Sequence, residues 1–337
     1  MRCNSAGVVF NVLLLAGCGR YDKFILPPAP GPAVDAVSWE WSDAGAPVLG
    51  RGAGGEFDSV DALNPSIVEV SGKLWNFYSG WDGSTWQTGV ATSADGLHWH
   101  RRGRLWSPDP HTWEGSYIAA NGTTLYQGEF RHWYQAGAPP RIGLARSSDG
   151  RNWSKHPAPI LEPGPRGAWD ERGVADPYVI EAGGRFYLFY LGQDRARRQR
   201  LGVAVSVDGV QWTKLRTNPI LELGSLGAFD EIGLGEPAVW GAYGRWWMLY
   251  TGRDRQENRK TGLAVSTDGV HWTRVARPLL AGAAGWNSKV LCDPEVLALA
   301  DGSYRVWYGG GDRPQPAENL NGQIGTGILR PVWPSSR

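Results

Sequence analysis

One pattern of residues returns five times along the chain, and in its clearest copies it closes on Asp-Gly-x-x-Trp. Trp169-Asp170-Glu171-x-Gly173 matches Phe229-Asp230-Glu231-x-Gly233, and Asp176-Pro177 matches Glu236-Pro237. The apolar run Phe186–Tyr190 matches Trp246–Tyr250, and both copies end in Asp-Gly-Val-x-Trp at Trp212 and Trp272. The closing Trp recurs at Trp99, Trp153, Trp212 and Trp272, with gaps of 54, 59 and 60 residues. The opening aromatic recurs at Phe57, Trp113, Trp169, Phe229 and Trp286. A period near 60 residues restricts the chain to a ring or stack of small units, each needing its neighbours to bury its faces.

Within a copy the pattern reads as four strands. The first follows the Asp-Pro position, as in Tyr178-Val179-Ile180. Gly183-Gly184 turns into the second strand, Phe186 to Tyr190; the third is Leu201 to Ser206; Asp208-Gly209 is a hairpin signal before the fourth. Runs apolar on both faces suit strands sandwiched between neighbouring sheets, and no stretch carries a helical period. The fifth copy lacks its closing Asp-Gly-x-x-Trp, while Trp41 to Leu49 resembles Trp212 to Leu221. An N-terminal strand completing the last unit leaves no end strand unpaired. The expected fold is therefore all-β: a five-bladed propeller of four antiparallel strands per blade, closed by an N-terminal strand.

The N-terminus reads as an export signal. Met1-Arg2 precedes an apolar run from Ala6 to Ala16, too short to span a bilayer. Leu15-Ala16-Gly17-Cys18 has the form of a bacterial lipoprotein box, so Cys18 is the expected lipidation site, with an ordinary signal peptide as the alternative. The expected organisation is a signal peptide over 1–18, a Pro-rich tether over 19–36 and the propeller over 37–333. The expected location is the bacterial cell envelope, in the outer membrane or at the cell surface, with the lipid as the sole membrane attachment. After processing only Cys292 remains, so no intrachain disulfide forms, and a small buried residue is its expected role. With 34 basic and 33 acidic residues, net charge +1, the chain is not a nucleic-acid binder. Trp is abundant at 19, and indoles outside the core suit sugar faces. A monomer acting on a carbohydrate is expected.

Strand direction separates two faces. The Asp-Gly turns at Asp95, Asp149, Asp208 and Asp268 lie on one and read as turn caps. On the other, the residues opening the innermost strands line the central well: Asn64, Asn121, Asp176, Glu236 and Asp293. Three carboxylates thus converge. Burial and mutual repulsion raise their pKa values, so one acid stays protonated near neutral pH, as glycoside cleavage requires. The bland alternative is that Asp and Glu before Pro cap strand starts. The loops after the second strands share this face: Trp81-Asp82, Gln193-Asp194-Arg195, Arg253-Asp254-Arg255 and Gly311-Asp312-Arg313. They are candidate rim contacts, as are Tyr117 and Glu295, with intraloop ion pairs or core packing as alternatives.

At these residues the chain resembles the five-bladed propeller glycosidases of the arabinanase/xylosidase group (glycoside hydrolase family 43), related to families 32, 68 and 130. The resemblance implies a general base in the first blade, an orienting Asp in the third and a general-acid Glu in the fourth. Asp176 and Glu236 fall on the last two. The first blade departs, with Asn64-Pro65-Ser66-Ile67 where the family has Asp-Pro-Ser-Ile. An amide cannot act as a base, so Asp61 is the expected substitute, ahead of Asp293.

The expected activity is hydrolysis of a furanoside-containing or related saccharide. A glycoside phosphorylase, in which phosphate replaces the base, and a non-catalytic glycan-binding lipoprotein are the alternatives. A sialidase ranks lower because its Asp box is one residue longer. The six histidines show no metal-ligand spacing, and no phosphate loop or dinucleotide fingerprint is present. Neither metal nor cofactor is expected.

Overall fold

A computed structural model describes residues 21–34, 37–282 and 285–333. The expected signal peptide and lipidation site, Cys18, lie outside the described residues. Within them the fold is all-β, as expected, without a helix.

The strands group into five antiparallel meanders, here called blades one to five. Blade one has an innermost strand in two pieces, Asp61–Leu63 and Ile67–Val70, followed by Lys73–Trp81, Trp86–Ser93 and His100–Trp106. Blade two is Ala119–Tyr126, Phe130–Ala136, Arg141–Ser147 and Ser154–Lys155. Blade three is Gly173–Ala182, Arg185–Gln193, Gln199–Ser206 and Thr213–Leu215. Blade four is Gly233–Ala242, Arg245–Arg253, Arg259–Ser266 and Thr273–Arg274. Blade five is Val290–Ala298, Tyr304–Gly311 and Gln323–Val332, completed on its outer edge by Ser38–Asp43. Ring closure by the N-terminal strand is as the partial fifth copy requires.

Neighbouring blades bury apolar side chains against one another. Phe186, Leu188 and Tyr190 pack with Trp133 and Leu144 of blade two, while Tyr187 and Phe189 pack with Trp246 and Met248 of blade four. That is why the second strands are apolar on both faces; each such side chain contributes about 1.5–3 kcal/mol by leaving water. The Asp-Gly turns are structural. Asp95, Asp149, Asp208 and Asp268 each accept the backbone N–H two residues on. The turn glycines also receive an indole from the preceding blade: Trp133 donates to the Gly209 carbonyl and Trp307 to that of Gly96, both at 2.9 Å.

Each blade also carries a buried polar lock. In the first four, a second-strand tyrosine donates to the acid that follows the opening aromatic: Tyr78 to Asp58, Tyr134 to Glu114, Tyr190 to Asp170, Tyr250 to Asp230. A cation on the outer strand completes each lock: Arg101, Lys155, Lys214 and Arg274. Blade five inverts the code. Asn287 occupies the acid's position, and the acid, Asp43, comes from the closing strand, accepting from Tyr308 at 2.9 Å and from Asn287 at 3.2 Å.

Within the Pro-rich stretch expected as a tether over 19–36, the described residues 21–34 pack on the propeller. Tyr21–Asp22 pairs parallel with the outer strand of blade three. Leu26 is buried and donates its N–H to the Asp268 carbonyl, and Trp246 donates its indole N–H to the Pro27 carbonyl. Proline preorganises an extended chain, and Phe24 and Leu26 before the prolines and Ala29 among them pack against blades three and four.

Candidate active site

The five residues expected to open the innermost strands lie within them, Asn64 at the break in blade one, and share one unusual conformation. Asn64, Asn121, Asp176, Glu236 and Asp293 all have φ between 49° and 51°. The left-handed region is uncommon for non-glycine residues and least expected for Glu. In blades two to five the strand register shifts at this residue or beside it, the mark of a β-bulge. A bulge re-aims a side chain, here into the well. Each left-handed residue costs on the order of 1–3 kcal/mol, and such strain concentrates at functional sites.

The well residues are linked around the ring. Asn64 N–H donates to Asp293 Oδ2 at 3.1 Å, and Asp293 N–H to Glu236 Oε2 at 3.3 Å. Glu236 N–H donates in turn to the Asp176 carboxylate. Asn121 closes on the same group, Nδ2 to Asp176 Oδ1 at 3.1 Å. Two glycines make room. A Cβ at Gly235 would lie 3.0 Å from Asp176 Oδ2, and one at Gly309 would lie 2.6 Å from Asp293 Oδ2.

This crowding sets the protonation. Burial, then the charge of Glu236, push the Asp176 carboxyl up to about 7, against the lowering pull of Asn121, the Glu236 N–H and Arg259. Burial and Glu236, both as a charge and as a hydrogen-bond partner, also raise Asp293 well above the carboxylate range. The Cys292 thiol donates to Asp293 Oδ2 at 3.2 Å and is buried, the small core role expected of it. Glu236, Cys292 and Asp293 have ligand atoms within 4.8 Å of one another, and Arg259 is close to all three.

Above these groups lies a cavity of about 280 Å³. The well residues form its floor, Trp86, Tyr117, Pro140 and the buried Arg259 part of its wall, and Gln193, Gln199 and Arg253 its rim, with Pro316 and Ala317 overhanging. Carboxylates occupy blades three, four and five of the floor. Blades one and two present amides, Asn64 and Asn121. No carboxylate among the described lining residues faces Glu236 from across the well.

Several expected site residues stand elsewhere. Asp61 is buried beneath the loop before the last strand, and each carboxylate oxygen accepts a backbone N–H, from Asn319 and Gly322, both at 2.7 Å. It does not line the cavity. Glu295 is buried below the floor beside Tyr178, bordering only a narrow shaft of about 30 Å³. Trp81 is buried behind Trp86 and Tyr117. Asp82 caps its own turn through Ser84 and Thr85. Asp194 pairs with Arg198 and Arg200, and Arg195 with Glu171. Asp254 caps its loop through Gln256 and Asn258, and Arg255 pairs with Glu231. The Asp-Arg loops are thus solvated hairpins with local ion pairs. Glu236, Asp176, Asp293, Asn64, Asn121 and Tyr117 do line the cavity.

Of the residues expected in the rim loops, Gln193 and Arg253 reach the cavity, together with their partners Gln199 and Arg259, which the sequence reading did not single out. Gln193 pairs with Gln199 across blade three, and Arg253 with Arg259 across blade four. The signal was present: equivalent positions 60 residues apart carry an amide in one copy and a guanidinium in the next. Gln135 and Thr251 were missed too. They are second-strand residues that accept the backbone N–H of Asp176 and Asp293, at 3.2 and 3.3 Å.

Comparison with known proteins supports the same picture. A family model of glycoside hydrolase family 130, described as β-1,4-mannooligosaccharide phosphorylase, matches residues 123–310. The chain is 28% identical over 233 residues to the uncharacterized protein Rv1502 of Mycobacterium tuberculosis (strain ATCC 25618 / H37Rv), covering 63% of this chain and 75% of that protein. It is 31% identical over 126 residues to the 1,2-β-oligomannan phosphorylase of Thermoanaerobacter sp. (strain X514), covering 34% of this chain and 41% of that protein. Among solved structures, one comes from work on family 130 mannoside phosphorylases and the glycoside hydrolases among them that target β-1,2 mannosidic linkages in Candida mannan. It superposes with a TM-score of 0.68 at 17% identity, covering 90% of this chain and 96% of its own. A thermostable family-43 glycoside hydrolase gives 0.62 at 16%, covering 83% and 96%. These likenesses establish the fold.

Proposed function

The chain belongs to glycoside hydrolase family 130, and on that premise we propose that it is a glycoside phosphorylase acting on β-mannosides. The observation that carries this reading is the one-sided well. A hydrolase of this architecture needs a carboxylic acid at the leaving oxygen and a second carboxylate across the sugar to activate water or attack. Here the blades opposite Glu236 present Asn64 and Asn121. Asp293, the remaining carboxylate, is hydrogen-bonded to Glu236 on the same side, with no room for a sugar between them. Asp61 has both oxygens committed to backbone N–H groups. Inorganic phosphate brings its own negative oxygen and needs no base.

In this reading Asp176 carries the proton. Its carboxyl, held near 7, is the acid best matched to neutral pH, and Glu236 maintains that value through its charge. This reverses the roles expected from the family-43 likeness, where Glu236 would be the acid. Arg253 and the buried Arg259, both lining the cavity, are the phosphate-binding candidates. Phosphate oxygen bonds to the anomeric carbon, the glycosidic bond breaks, and the acid's proton passes to the leaving oxygen. The products are a glycosyl phosphate and a chain one unit shorter. Furanosides give way to mannosides as the proposed substrate class on the strength of the family.

The test is incubation of the protein with β-1,4- and β-1,2-mannooligosaccharides with and without phosphate, beside Asp176→Asn. Phosphate-dependent release of mannose 1-phosphate that Asp176→Asn abolishes is the expected result; release of free mannose without phosphate would make the protein a hydrolase. We also propose that Cys18 anchors the protein by a lipid to the cell envelope. Radiolabelled palmitate incorporated by the wild type and lost in Cys18→Ser is the expected outcome; no incorporation overturns it.

A further inference from the structure

One rim loop differs from the rest. Between second and third strands the connections are residues 82–85, 137–140, 194–198 and 254–258 in blades one to four, but 312–322 in blade five. This loop does not stand away from the ring. Arg253 and Arg259 of blade four donate to the Pro316 carbonyl at 3.1 and 2.9 Å, and Arg259 also to that of Gln315. Asp61 of blade one grips the far end through Asn319 and Gly322, and Leu320 is buried beneath it. Between these anchors Pro316 and Ala317 overhang the cavity, and Tyr117, on the approach to blade two, donates its hydroxyl to Glu318 Oε2 at 3.0 Å.

We propose that loop 312–322 is the specificity element of the pocket: a roof that admits only the terminal unit of a saccharide, held down by the Tyr117–Glu318 clasp. The proposal rests on the glycoside-acting reading above and adds to it the part of the chain that is recognised. An internal unit carries neighbours on both sides and needs a groove open at both ends. The roof runs from blade four across to blades one and two, so the open side is the seam of blades two and three, beside Pro140, Gly173, Gln193 and Gln199. The rest of the saccharide leaves by that one exit. The same geometry explains Asp61: its buried carboxylate fixes the roof at the cost of being unavailable for chemistry. Tyr117 also stands against Trp81, centroids 5.6 Å apart, so the clasp is backed by a packed aromatic wall.

The test uses the full chain, the clasp variants Glu318→Gln and Tyr117→Phe, and a variant with residues 314–318 replaced by Gly-Ser. The probes are β-1,4- and β-1,2-mannohexaose, free or capped at the non-reducing end with a benzylidene group. The wild type should shorten free chains one unit at a time and leave capped chains intact. Losing a hydrogen bond to a charged group should lower the free-to-capped rate ratio by roughly tenfold in the clasp variants, and shortening the loop should lower it further. Capped chains cleaved as fast as free ones by the wild type overturn the proposal, as does an unchanged ratio in all variants. Hydrogen–deuterium exchange over residues 315–322 separates the two claims. If no mannoside is cleaved, the phosphorylase reading fails. The clasp then stands if exchange there accelerates in Glu318→Gln and Tyr117→Phe, and falls if it is unaltered.

Discussion

Glu236 is the ring neighbour of Asp176, donates its backbone N–H to the Asp176 carboxylate, and by its charge helps hold that carboxyl up at about 7. The two effects oppose each other, and burial decides the balance in favour of the protonated acid. A well built from left-handed residues of the innermost strands of adjacent blades therefore makes a proton donor out of an aspartate without a histidine.

The first prediction concerns the pH profile. The protonated form of Asp176 is the active one, so activity should be full below about 7 and fall as pH rises through that value. Glu236→Gln removes a negative neighbour, lowers the Asp176 pKa, and should move this alkaline limb toward lower pH. Asp176→Asn should reduce kcat by roughly 10²–10⁴. An alkaline limb that stays in place in Glu236→Gln would break the coupling between the two groups.

Stability should show the same linkage with the opposite benefit. Asp176 has a folded pKa of about 7 against an ordinary 3.8. Between those values the folded state binds more protons than the unfolded one, so this group's contribution to stability declines as pH rises from about 4 to about 7. Asp176→Asn should therefore stabilise the fold at pH 8, by on the order of 1–3 kcal/mol, and do little at pH 4. Denaturant titration at the two pH values checks this; equal effects at both would contradict it.

Arg253 should act on phosphate rather than on the sugar. Arg253→Gln removes a charge-assisted donor worth about 1.5–3 kcal/mol and should raise the phosphate KM by roughly tenfold or more, with a smaller rise in the saccharide KM because Arg253 also donates to the Pro316 carbonyl of the roof. Initial-rate kinetics with each substrate varied in turn gives the answer. A rise confined to the saccharide would remove Arg253 from the phosphate site.

The inverted lock of blade five predicts a rescue. Asp43→Lys sets a cation at Tyr308 and Asn287 with no acid to pair it, and should cost about 3–5 kcal/mol. Adding Asn287→Asp recreates the Tyr–acid–cation lock of the other four blades and should restore 1 kcal/mol or more, read as coupling in a double-mutant cycle. Additive losses would mean that the closing strand does not recognise blade five through this site.

The fold was legible because its repeat is written in residues with strong local physics. Asp-Gly turns, doubly apolar second strands and a displaced fourth strand at Trp41 fixed blade structure and closure. The floor of the well was legible for the same reason: Asn64, Asn121, Asp176, Glu236 and Asp293 occupy one repeat position. The roles of side chains in the loops were not. Asp194 and Asp254 look alike in sequence whether they face a ligand or, as here, their own loop's N–H groups and cations. Asp61 is three residues from Asn64, but a β-strand alternates its side chains, and left-handed Asn64 lies in the break between the two pieces of the strand, so even that rule does not carry across. The packing of Leu26 against blades three and four depends on a tertiary contact that a Pro-rich composition conceals.

The most direct measurement is the phosphate dependence of mannooligosaccharide cleavage, with the released sugar identified. The one-sided well, with Asn64 and Asn121 facing Glu236, predicts mannose 1-phosphate as the product and no turnover when phosphate is withheld. Free mannose released at the same rate without phosphate would contradict it and would require a base that this arrangement of carboxylates does not supply.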